Sequence, residues 1–297
     1  WIAIVVFLVG IIYKVLDWAR VPVPFRIPTT CGQQKSLPMF KQSVFDNPYT
    51  PLQTIGRMAI EILTFRSLLR NTKTQVTADK RLTYSTDIFL WLGAIAFHYA
   101  FLIVILRHIR LFTEPVPFFV TALERVDGFF QVGVPVFYAT SFLLILGIGY
   151  LLFRRLSSPQ LRYISLVNDY FPLFLILGVG LSGFWLRYIS KSDVVAIKEL
   201  AVGLVTFNTA GVDLAAINPL FFAHVFLVSV LFIYFPFSKL THMAGVFLSP
   251  TRNMANNNRA VRHINPWNYP VKVHTYEEYE EDFGELMKAV GLPVEKE

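Results

Sequence analysis

Five long apolar runs separated by polar stretches set the pattern of this chain: residues 1–15, 88–109, 129–153, 170–186 and 219–238, the last continuing through His242. Runs of this length predict helices that cross a bilayer, because a helix satisfies its own backbone groups where water is absent. The third run has no formal charge and one proline, Pro135; the fourth has Asp169 at its start. The predicted fold is all-α: a five-helix membrane bundle over residues 1–243, followed by a cytoplasmic tail, 244–297. Repeats, low-complexity segments and a separate soluble domain are absent from the sequence.

Three of the polar stretches also show helical periodicity. Over 52–69, Leu52, Ile55, Met58, Ala59, Ile62 and Leu63 share one face, with Arg57, Glu61 and Arg66 elsewhere, which predicts an amphipathic helix on the membrane surface. Residues 193–206 form a weaker equivalent on the other side. Thr275 and Glu278 make a capping-box pattern ahead of Tyr276, Tyr279, Phe283 and Leu286, and Gly291 and Pro293 end that helix. With no domain of its own to pack against, it is expected to meet a partner.

Composition agrees. Of 297 residues, 54% are hydrophobic and 16% charged, against about 25% charged in ordinary globular chains. This excludes a disordered protein, a coiled coil and an ordinary cytosolic enzyme. The net charge of +7 comes from basic residues lying between apolar runs rather than in a soluble patch, so nucleic acid is not an expected partner. Cys31 is the single cysteine; it excludes an intrachain disulfide and a four-cysteine zinc or iron–sulfur site built from this chain alone. The chain starts at Trp1 rather than Met, so further residues are expected before it.

Orientation follows from the cationic loops. With five spans, twenty-one Lys and Arg fall on one side and six on the other. The N-terminus is therefore expected outside and the C-terminus in the cytoplasm.

Four of the six histidines lie in or at the ends of two spans: His98 and His108 in the second, His224 and His242 in the fifth. Ionisable groups inside a membrane are costly, which makes them functional candidates, although each alone could simply pack. A step of eighteen residues closes on about five full helical turns, and a step of ten falls about 80° short. The two helices run antiparallel, so His98 can face His242 at the inner level and His108 can face His224 at the outer level. The rises of about 15 and 27 Å differ by about 12 Å. A wide macrocycle between two imidazoles tolerates that mismatch better than a small ion does. Two histidines without a third ligand suit haem iron held from both faces, a state fitted to electron transfer. A zinc or copper site ranks lower, for want of cysteine and nearby carboxylates.

The run from His98 to Phe112, HYAFLIVILRHIRLF, with the steps of ten and eighteen, resembles the membrane cytochromes b of the respiratory nitrate reductase gamma type across all five spans. The stretches 237–253, FSKLTHMAGVFLSPTRN, and 262–268, RHINPWN, resemble the DsrM-type branch found in the DsrMKJOP complexes of sulfate reducers. The resemblance implies two haem b groups and the oxidation of menaquinol near the outer pair. It implies delivery of electrons from the inner pair to a DsrK-like cytoplasmic iron–sulfur subunit within a larger complex. Arg107, Arg110 and Arg187 outside, and Arg154, Arg155 and Lys239 inside, are available for haem propionates, although helix-end anchoring is their commoner role. Glu114, Glu124 and Asp127 are candidates to deprotonate the quinol. A lysine implicated in this loop of the nitrate reductase subunit has no counterpart here between Lys80 and Lys191. The stretch 249–268 is expected to dock the cytoplasmic partner, with His263 and His274 as interface or solvent residues. The rival readings are a gamma-type cytochrome b of another reductase, and a haem-free membrane anchor or transporter whose histidines pack or carry protons.

Overall fold

The computed structural model describes the chain except residues 22, 24, 25, 27–31, 132, 134, 191, 262–273 and 296–297. Cys31, Lys191, His263 and the stretch 262–268 thus lie outside the described residues.

Helix α1 spans Ile2–Arg20. Helix α2, Pro51–Thr64, starts with proline at its first position and with the Thr50 hydroxyl accepting from the Gln53 amide. Phe65 then takes left-handed backbone, φ 51°, and opens the single turn α3, Arg66–Leu69. An antiparallel hairpin of β1 (Thr72–Val76) and β2 (Leu82–Thr86) leads into α4, Ile88–His108. Next come α5 (Phe118–Asp127), the short pair β3 (Gly128–Phe130) and β4 (Phe137–Tyr138), α6 (Ala139–Ser157), α7 (Pro159–Ile164), α8 (Val167–Tyr188) and α9 (Val194–Val205). The chain ends with α10 (Pro219–Tyr234), α11 (His242–Gly245) and α12 (Tyr276–Ala289). The fold is mostly helical, and five segments are long and apolar enough to cross a membrane: Ile2–Arg20, Ile88–Leu111, Ala139–Ser157, Val167–Tyr188 and Pro219–Phe237.

Two spans differ from their sequence expectation. The third helix starts at Ala139 rather than near Phe129, because Gly128–Phe130 pairs with Phe137–Tyr138 as a hairpin and Asp127 accepts from the Thr140 amide at 2.9 Å. The fifth is not one helix through His242. Pro236 lacks the N–H that would continue the ladder, and Ser238 is extended at φ −123°, ψ 175°. His242 therefore sits on its own short turn, and the eighteen-residue helical step does not apply to it.

The spans pack as a row: α4 on α6, α6 on α8, α8 on α10 and α10 on α1. Two glycines set the α4–α6 approach. A Cβ on Gly147 would stand 3.0 Å from the Phe97 Cβ and 3.1 Å from its backbone, and one on Gly93 would meet the Tyr150 ring. The core joins Phe97 and Ala100 of α4, Leu144 and Ile148 of α6, Leu175 and Ile176 of α8, and Leu231 of α10. Large apolar side chains such as Leu102, Leu146, Phe174 and Phe226 are exposed on the outer surface, as lipid contact requires.

Helix α2 is turned inside out relative to a soluble amphipathic helix. Thr54, Arg57 and Glu61 are buried, whereas Leu52, Ile55 and Leu63 are exposed. The buried face meets a polar cap. Both Arg26 and Arg57 donate to the carbonyls of Asp46 and Thr251, and Arg26 also to that of Met254. Arg66 and Arg70 hold the Asp46 carboxylate at 2.7 and 2.5 Å. Asn256 donates to Asn47 and Gly32, and Asn257 to Tyr49. Residues 251–257 are thus stitched into the same cap as α2. Trp91 and Tyr99 of α4 each donate at 2.7 Å to the last carbonyls of α2, those of Thr64 and Leu63, which fixes the cap to the second span.

Candidate functional site

The histidines of α4 are positioned by the start of that helix. Asp87 caps α4, is fully buried, and pairs with Arg154 at 2.8 Å and Lys73 at 2.9 Å. Twenty-one unbroken helical residues then carry His98 and His108 at ten-residue spacing. At the α2 end, His98 and His242 face each other with ring centres 6.0 Å apart and planes at 77°. The rings of Phe65 and Phe97 stand edge-on to His98 at 5.0 and 4.9 Å. At the α9 end, His108 and His224 are close enough to interact electrostatically. Phe97, Ala100, Phe101 and Val104 of α4, with Leu227, Val230 and Leu231 of α10, form the apolar layer between the two levels.

All four imidazoles have an oxygen within hydrogen-bond distance of Nδ1, a backbone carbonyl for three and a hydroxyl for His224. The Nδ1 atoms of His98, His108 and His242 lie 2.7, 2.7 and 2.8 Å from the carbonyls of Ala94, Val104 and Lys239. A carbonyl only accepts, so Nδ1 carries the proton and Nε2 keeps its lone pair. His224 Nδ1 lies 2.9 Å from Ser182 Oγ, which is itself 2.8 Å from the Gly178 carbonyl. Ser182 Oγ also lies 3.0 Å from the Val179 carbonyl, which hydrogen-bonds to His224, so a hydroxyl that donates to either carbonyl accepts from a His224 ring protonated at Nδ1. Gly183 leaves room for the ring: a Cβ there would stand 3.1 Å from His224 Cε1. None of the four histidines is fully buried by protein, and His108 and His242 are exposed. Two imidazoles binding one metal end-on, with metal–nitrogen bonds of about 2.0 Å, have ring centres about 6 Å apart. The donor set and the spacing at His98 and His242 fit such a group.

Each sequence candidate among the charged residues has a definite place. Arg154 is engaged by Asp87, Arg155 donates to the Ser165 hydroxyl at 2.7 Å, and Lys239 pairs with Asp169 at 2.5 Å. Arg110 pairs with Glu124 at 2.6 Å. Arg107 lies 3.3 Å from Asp127 and 3.8 Å over the Tyr138 ring; Arg187 lies 4.3 Å over the same ring and donates to the Val136 carbonyl. Arg187 Nε is buried without a hydrogen-bond acceptor among the described residues. Both guanidinium groups act electrostatically on His108. An anionic group beside His108 would find its free donor at Arg187.

The three candidate acids are also engaged. Asp127 is buried, caps α6 through Thr140 and pairs with Arg107. Glu124 is held by Arg110, and Glu114, largely exposed, by Lys198. Glu114, Lys198, Glu199 and Val202 line an open cavity of about 570 Å³ beside α9. Helix α9 packs through Ile197 and Leu200 against Leu111, three residues past His108.

Sequence reasoning missed Ser182, Phe65 and Tyr138. The only signal for Ser182 was its place beside Gly183 on a span, which reads equally as helix packing.

The family model of the nitrate reductase gamma subunit matches residues 57–263. The chain belongs to that family of membrane proteins. Within it, the chain is 45% identical over 272 residues to the Hdr-like menaquinol oxidoreductase cytochrome b-like subunit of Archaeoglobus fulgidus, covering 90% of this chain and 81% of that protein. It is 39% identical over 273 residues to the protein of the same description from Archaeoglobus profundus, covering 90% and 80%.

Proposed function

We propose that this chain is a DsrM-type, quinol-linked membrane cytochrome b. In this reading it passes electrons from menaquinol, oxidised near His108 and His224, to a DsrK-like cytoplasmic iron–sulfur subunit that contacts the His98 and His242 side. The observation that carries the reading is the placement of the four imidazoles in two pairs, each ring with an oxygen at Nδ1 and no hydrogen-bond partner at Nε2 among the described residues. Two b-type haems, one for each pair, supply reversible one-electron chemistry when bound. The relatives' description as menaquinol oxidoreductase subunits supports the substrate, and the excess of cationic residues at the α2 end supports a cytoplasmic C-terminus.

The protein groups then divide the work. Val104, Ala94 and Lys239 carbonyls and the Ser182 hydroxyl hold the ring planes and tautomers. Arg187 supplies a cationic donor to an anionic group beside His108, with Arg107 and Tyr138 behind it. Phe97, Phe101 and Leu231 keep water out between the levels. Quinol oxidation releases two protons, and Glu124 and Glu114 lie on the side where they appear. Asp127 acts chiefly as the α6 cap, and its role in proton release is indirect.

The test is an optical and redox comparison of single alanine variants in the purified complex. His98→Ala and His242→Ala should each remove one low-spin haem signal, and His108→Ala and His224→Ala the other. Spectral equivalence of His98→Ala and His224→Ala would refute the pairing. A wild-type complex without haem bands would favour the anchor or transporter reading.

A further inference from the structure

Helix α12, Tyr276–Ala289, is complete in itself. Thr275 and Glu278 close the capping box, and the Leu292 and Gly291 amides return to the Met287 and Lys288 carbonyls. Tyr276, Tyr279, Phe283, Leu286 and Val290 follow steps of three and four residues, so they form one stripe. All five are exposed, from 41% at Phe283 to 73% at Val290, and the Tyr279 and Phe283 rings pack on each other at 4.8 Å. The rest of the helix carries six carboxylates and one lysine.

This charge decides what can cover the stripe. A helix that lies on a membrane places Lys and Arg beside its apolar face, because the cytoplasmic leaflet is negative. Six carboxylates oppose that contact. A second copy would set six carboxylates against six. At the cap of this chain, Arg66 and Arg70 are engaged by Asp46, and Arg252 lies 3.6 Å from Glu61.

We infer that α12 is a docking helix that inserts its Tyr279–Phe283–Leu286 stripe into an apolar groove, rimmed by Lys and Arg, on a soluble subunit of the complex. Helix-in-groove recognition reads anchors at this spacing. The aromatic pair supplies the buried contact, and the flanking carboxylates select the basic rim and speed encounter. This deepens the proposed function, because it rests on a soluble electron acceptor being present and says which element of this chain holds it.

The experiment uses the complex extracted from membranes. A photo-reactive p-benzoylphenylalanine placed at Tyr279 or at Phe283 is illuminated, and the cross-linked peptide is sequenced by mass spectrometry. The expected product joins α12 to a soluble subunit, within a segment flanked by Lys or Arg. Products with lipid, with a second copy or with this chain's own spans would overturn the inference, as would the absence of any product at both positions. In parallel, the double reversal Glu281→Lys, Glu285→Lys should speed dissociation of that subunit by about tenfold at low salt, with less effect at high salt. Unchanged dissociation would count against the basic rim. Haem bands recorded on the same samples keep the two readings apart. Absent bands in the unaltered complex refute the cytochrome reading, whereas normal bands with no cross-link refute only the docking helix.

Discussion

Ser182→Ala is the sharpest test of the arrangement around His224. Three of the four imidazoles are oriented by backbone carbonyls alone, which no substitution removes, whereas His224 meets both the Val179 carbonyl and a side chain, Ser182 Oγ at 2.9 Å. In the variant His224 loses the Ser182 contact and keeps only the Val179 carbonyl, so the ring and its tautomer are held less firmly. Loss of such a supporting partner costs roughly 10- to 100-fold in metal affinity, or about 1.4–2.7 kcal/mol. The expected result is partial loss of one haem, the one that His108→Ala and His224→Ala remove, with the other at full occupancy. Ser182→Thr keeps the hydroxyl and should retain most of the signal. Haem-to-protein ratio and a redox titration of the purified complex read both effects. Normal occupancy and potential at that site in Ser182→Ala would refute the role given to Ser182, and equal loss at both sites would show a global rather than local effect.

The other predictions test the frame around the site. The Asp46 carboxyl is held down to about 2, first by its hydrogen bond to Arg66, against the opposing effect of burial. Its contribution to the cap is therefore complete above about pH 4, the ordinary carboxyl value, and is lost as the pH falls towards 2. Hydrogen exchange over 46–70 and 249–257 should rise in that window, and Asp46→Asn should remove the pH dependence. Asp87→Asn keeps the helix cap but leaves Arg154 and Lys73, both partly exposed, without their carboxylate, so thermal stability in detergent should fall by about 1–2 kcal/mol; an unchanged melting curve would contradict this. Gly147→Leu drives side-chain atoms into the Phe97 backbone, where no flexible group can yield, and should cost about 1–3 kcal/mol, read as loss of folded protein on size exclusion. Glu124→Gln should slow haem reduction by a quinol analogue while dithionite reduction stays normal; equal quinol rates would remove Glu124 from proton release.

The five spans and the four histidines were legible in the sequence, because partition into a bilayer depends on local composition and helical spacing is set by the backbone. The amphipathic stretch 52–69 was legible as a pattern, but only the structure shows that its polar face turns inward. The buried Arg26, the Thr251 carbonyl and Asp46 come from segments some 20 to 225 residues apart, and no local rule joins them. The same holds for the charged candidates. Arg110, Arg154 and Arg187 look alike in sequence, yet Glu124 and Asp87 engage the first two and no carboxylate among the described residues pairs with the third. Pro236 signalled a break, but the direction the chain takes at Ser238, which brings His242 to His98, depends on packing against α1 and α8. Sequence determined which runs are long and apolar enough to cross a membrane and where the histidines fall along them; tertiary contact decided which charges are already engaged and which imidazoles meet.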